Sequence, residues 1–205
     1  MPETRLTQTI ALLYQMEDAD IRQLADQLLE ARKRAWANAL TDVAREHGCN
    51  RAPNAPRLQD LKELRRMARE DAASIARTYN REVSAKIDRL FEVNRRGNRN
   101  YYFKNLEQWV AQRNSWKLDQ IALQTEVTTR SYARDRFYRL NSLRGGRWRF
   151  IGPAPVCKVC ARLYTLGFVD QATVDRNPTP VHIGCPHEWQ QVKPEKADCA
   201  ELWLG

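Results

Sequence analysis

Glycine is scarce in this chain of 205 residues: there are eight, and only Gly48 and Gly97 precede Gly145. No proline occurs between Pro56 and Pro153, whereas six of the nine prolines follow residue 152. Gly and Pro are the strongest breakers of regular structure, so roughly the first 145 residues can hold long helices and roughly the last 55 cannot. Long apolar runs are also missing, and the mean hydropathy is -0.69. A membrane-spanning helix, which needs about 20 consecutive apolar residues, is thereby excluded. The opening residues MPETRLTQTIALLYQMED lack a basic start, a clean apolar stretch and a small-residue cleavage site, so no secretory signal is expected. Against disorder stand a hydrophobic content of 42% and six Trp. The balance of 34 Lys+Arg against 25 Asp+Glu leaves a net charge of +9. These features predict a soluble, basic, intracellular globular protein.

Helical periodicity organises the first two thirds. Ile21, Leu24, Leu28, Ala31, Ala35, Ala39 and Val43 form one stripe. Asp18 or Asp20 is placed to cap its start, after a short helix at about residues 4–16, and Gly48 suits its end. The stretch CNRAPNAPR reads as a turn. Leu58, Leu61, Leu64, Ala68, Ala72, Ile75, Tyr79, Val83, Ile87 and Leu90 mark a second long helix, so the two would form an antiparallel hairpin. Gly97 suits the next break. A third helical region is predicted over 103–143, with Phe103, Leu106, Val110, Ile121, Val127 and Phe137 among its apolar positions. The expected fold is α+β and predominantly α: a helical region over 1–100, then 101–205 carrying helix 103–143 and a small loop-rich module at 148–192 with a few short strands.

The chemistry concentrates in that last module. Cys157 and Cys160 form a C-x-x-C pair, and His182, Cys185 and His187 follow, so three of five cysteines and two of three histidines fall between positions 157 and 187. Zinc takes four tetrahedral N/S ligands, and four of these five residues would supply them, His182 ranking ahead of His187 because it repeats the two-residue gap. The remaining histidine would orient a ligand. Four protein ligands leave no open position, so the zinc would be structural. A redox thiol pair is the competing reading of C-x-x-C. Trp148, Phe150, Leu163, Tyr164, Phe168 and Trp189 would pack around the ligands, and Cys49 and Cys199 read as unpaired.

Between residues 130 and 149 stand Arg130, Arg134, Arg136, Arg139, Arg144, Arg147 and Arg149, against Asp135 alone. Arginine forks bind phosphate or carboxylate. This patch is therefore a candidate surface for nucleic acid or for an acidic protein partner, or a solvated helix face. No second carboxylate or nucleophile stands at a useful spacing from Glu126, which reads as a structural residue binding an arginine or backbone amides. No catalytic residues are assigned, and the chain is not expected to be an enzyme.

From about residue 104 to 192 the sequence resembles the phage head morphogenesis, or Mu F-like minor head, proteins. The resemblance rests on Thr125-Glu126 in a helix, Trp148 shortly before Cys157 and Cys160, then Gly167, Pro178, Pro180, His182, Cys185, His187 and Trp189. Ile183-Gly184 and Pro186 depart from the family pattern but leave the ligand types intact. The resemblance implies a virion component made in the host cytoplasm: a minor head protein acting in head morphogenesis, DNA packaging or ejection. Portal or major capsid protein, and packaged DNA, would be its partners, with several copies per particle. A zinc-dependent DNA-binding protein is the alternative. A metal-dependent nuclease is a third possibility, but it would need a further His–Asn–His arrangement that this chain does not offer.

Overall fold

The computed structural model describes residues 14–49, 56–93, 99–141, 143, 145–155, 157–179, 181 and 185–192. The expected helix at about 4–16 falls almost wholly outside them, as do Gly97, Arg144, His182 and Cys199. Three long helices come first: α1 (Asp18–Glu46), α2 (Leu58–Val93) and α3 (Arg99–Leu140). Then follow β1 (Arg147–Ile151), α4 (Lys158–Thr165), β2 (Phe168–Val169), α5 (Gln171–Arg176) and β3 (Glu188–Val192). The fold is α+β and predominantly α, as the placement of glycine and proline predicts. No described helix is long and apolar enough to cross a membrane.

Local chemistry sets the helix ends. At the start of α1 the Glu17 amide donates to Asp20 Oδ2 at 3.0 Å, the return half of a capping box. At its end Gly48 adopts φ +77°. The amide of Cys49 donates to the Ala44 carbonyl and that of Gly48 to the Arg45 carbonyl. This pair of bonds ties off the last carbonyls and requires a left-handed residue at position 48.

The chain forms two compact units, Met1–Leu29 with Arg65–Asp119 and Glu30–Leu64 with Gln120–Gly205. In the first, Val83, Ile87, Leu90, Tyr102 and Leu106 make the core. Phe91 stacks on Tyr102 with ring centroids 4.3 Å apart, and Arg113 pairs with Glu82 while lying over the Tyr79 ring. Positions 82 to 91 of α2 thus meet 102 to 113 of α3 in reverse order, which makes these segments antiparallel. Both backbone polar groups of Met16 bond the Asn80 side chain, so a polar residue fixes the chain's entry to α1.

In the second unit Trp36, Ala39, Leu40, Val43, Leu64, Ala133 and Phe137 are buried. Asp42 pairs with Arg130 and Glu46 with Arg134, so α1 and α3 run in the same direction there. The apolar stripe of α2 holds at Leu64, Ala68, Ala72, Val83, Ile87 and Leu90 but fails at its first member. Leu58 is exposed, and the fully buried residue of that turn is Asp60. Its carboxylate accepts from Tyr132 Oη at 2.9 Å and Arg136 Nε at 3.0 Å. A buried charge is tolerable when paired and hydrogen-bonded in this way.

The sheet has the order β2-β1-β3 with both pairings antiparallel. Residues directly opposite share a face, so Phe168, Arg149 and Gln190 lie in one row, and Arg147 and Val192 in another. Trp148, Phe150, Trp189 and Gln191 are buried on the opposite face. Trp148 meets Tyr138 of α3 edge-on at 4.8 Å, and Trp189 Nε1 donates to the Asn177 carbonyl at 2.7 Å. Each aromatic ring so buried contributes about 1.5–3 kcal/mol. Cys49 is disulfide-bonded, which corrects its reading as unpaired, and Cys157, Cys160 and Cys185 are not in disulfides.

Candidate metal centre

Cys157 occupies the N-cap of α4, its Sγ accepting the Cys160 amide at 3.3 Å. This turn sends Cys160 inward, where it is 1% exposed. Cys185 and His187 approach from the segment leading into β3, at 0% and 2% exposure. The sulfurs of Cys160 and Cys185 are 3.5 Å apart, and Cys185 Sγ is 3.5 Å from His187 Nδ1. The three donor atoms lie within 4.8 Å of one another.

Donors around a tetrahedral zinc, with Zn–S near 2.3 Å and Zn–N near 2.0–2.1 Å, stand roughly 3.6–3.8 Å apart. The two separations from Cys185, both 3.5 Å, come within a few tenths of an ångström of that, and two thiols with an imidazole suit a borderline-soft ion. Cys160, Cys185 and His187 therefore lie close enough to hold a metal ion. Burial, first, and hydrogen bonding with Cys157 and Cys185 push the Cys160 thiol up to about 12. A bound cation reverses that preference by taking the thiolate directly.

Three residues fix the His187 ring. Its Nε2 lies 2.9 Å from the Pro153 carbonyl, which defines that nitrogen as the protonated one and leaves Nδ1 as the donor. Phe150 stacks on one face of the ring. Gly152, at φ +151°, leaves room beside the ring: a Cβ there would fall 2.6 Å from the imidazole Cδ2. The sequence reading places Phe150 near the ligands but misses Gly152, and the only signal is a glycine just after a strand.

No family model, curated protein or solved structure matches this chain.

The remaining candidate residues separate clearly. The sequence ranks His182 ahead of His187, yet His187 is the imidazole set against the sulfurs, while His182 lies outside the described residues. Of the arginine group, Arg130 pairs with Asp42 and Glu188, Arg134 with Glu46 and Glu188, and Arg136 with Asp60. Arg139 makes an exposed pair with Asp135 one turn away. Arg130, Arg134 and Arg136 are thus engaged within the fold: helical spacing turns Arg130 and Arg134 toward acids on α1 and β3, which the local composition of α3 does not reveal. Arg147 and Arg149 remain on the exposed face of β1. Glu126, read as a structural residue binding an arginine or backbone amides, is exposed on α3 and has no hydrogen bond or ion pair among the described residues. Its neighbour Thr125 is the buried one, its carbonyl accepting from Thr129 Oγ1.

Proposed function

We propose that this protein is a structural component of a phage virion, a minor head protein whose C-terminal module is stapled by one zinc ion. The ligands would be Cys157, Cys160, Cys185 and His187, with Cys157 turning its sulfur onto the ion as the fourth donor. The ion would supply rigidity and no reaction, because four protein ligands leave no site for water or substrate. The convergence of Cys160, Cys185 and His187 within 4.8 Å carries this reading. It gives physical sense to the spacing on which the resemblance to the Mu F-like proteins rests.

A module of three short strands and two short helices has little apolar area, and zinc binding supplies folding free energy that such modules otherwise lack. Its rigid surface would dock on portal or capsid protein in the assembling head, in several copies per particle and without enzymatic activity. Mass spectrometry of intact particles tests this: a fixed copy number is expected, and fully infectious particles devoid of the polypeptide would refute it. Elemental analysis of purified protein separately tests the metal, with about one zinc per chain as the expected content.

A further inference from the structure

We infer that the outward face of the three-stranded sheet is a binding platform for single-stranded nucleic acid. The row Phe168–Arg149–Gln190 crosses all three strands, and Arg147 stands two residues from Arg149 on the same side, about 7 Å away by strand geometry. Arg147, Arg149 and Phe168 are all exposed, Phe168 by 56%. Neither arginine has an ion pair among the described residues, in contrast to Arg130, Arg134 and Arg136. The acid of this face, Glu188, is held between Arg130 and Arg134. Among the described residues, therefore, no free carboxylate on the platform opposes these two guanidinium groups.

The class of ligand follows from the combination. Guanidinium forks match phosphate oxygens. A phenyl ring without a ring partner among the described residues offers a stacking surface to an unpaired base, and the Gln190 amide offers both a donor and an acceptor. An acidic protein surface would use the arginines but leave Phe168 idle. A duplex keeps its bases stacked and gives the ring nothing to cover. Only an unstacked strand engages charge and ring together.

The test measures fluorescence anisotropy of a short labelled oligothymidylate and of a short duplex on the full chain, across a range of salt. The single strand should bind more tightly, with an affinity that falls steeply as salt rises. Phe168→Ala should weaken it by about fivefold or more, and Phe168→Tyr should restore it. Arg147→Ala and Arg149→Ala should each weaken binding and flatten the salt slope by about 0.7. Arg69→Ala, an exposed arginine of α2, should leave binding unchanged. Equal loss with Arg69→Ala, duplex binding as tight as single-strand binding, or indifference to Phe168→Ala would each overturn the assignment. So would displacement by polyglutamate as effective as by oligothymidylate, or self-association through Phe168 in sedimentation without nucleic-acid binding.

Discussion

The imidazole of His187 lies flat on the ring of Phe150, 5.0 Å between centroids and 7° from parallel. With Nε2 held at the Pro153 carbonyl, the ring can neither spin nor tilt, and Nδ1 faces the two sulfurs. The position of one donor is thus set by strand β1 and the residues just after it, a segment that leads directly into the C-x-x-C turn but lies 34 residues before His187 at Pro153.

Gly152→Ala is expected to displace that ring, because the added methyl would overlap it and the backbone there has φ +151°. Metal affinity should fall by about 10–100-fold, the usual cost of disturbing the groups that orient a ligand. Competition with a chromogenic chelator measures it.

Replacing Cys185, fully buried beside Cys160 and His187, removes a central donor. Cys185→Ser should lose bound zinc by elemental analysis. Hydrogen exchange should then accelerate in β1, β3 and α4 while residues 79–93 of α2 and 102–110 of α3 stay protected.

Arg134 is 5% exposed and shared between Glu46 and Glu188. Arg134→Ala should destabilise the second unit by about 3–5 kcal/mol, the cost of breaking a buried pair. Denaturant unfolding followed by tryptophan fluorescence gives the number.

Tyr132 has its ionisation pushed well above the usual phenol range, first by burial and then by its hydrogen bond to Asp60. The folded state therefore favours the neutral phenol. The resulting stability is present below the ordinary tyrosine pKa near 10 and is lost as pH rises beyond it. Tyr132→Phe should remove this alkaline dependence. At neutral pH it should cost about 1–3 kcal/mol by withdrawing a donor from the buried Asp60 carboxylate.

Much of the helical framework is legible in the sequence because a single physical rule governs it. Leu64, Ala68, Ala72, Val83 and Ile87 recur at helical spacing and are buried, and Gly48 ends α1 where a left-handed residue is required. The rule fails where polar groups find distant partners. Leu58 stands in the stripe but is exposed, while Asp60 is buried because Tyr132 and Arg136 come to it from α3. Of the arginines that read as a surface run along the chain, Arg130, Arg134 and Arg136 are turned to acids of the fold by the same helical phase, while Arg139, Arg147 and Arg149 stay exposed. At the candidate metal centre, residue types and spacing are visible, but the placement of His187 depends on Phe150, Gly152 and Pro153, and no pattern in the chain joins those three to a histidine.

Strand β1 alternates without a break, Arg147 and Arg149 facing out and Trp148 and Phe150 facing in. One residue inserted after Gly146 would exchange the two sets at a stroke. The aromatic rings would then meet water and the guanidinium groups would meet the rings of Tyr138 and Trp189. Phe150 would leave the imidazole at the same moment. The length of this short connection is therefore as firm a requirement as any side chain in the module.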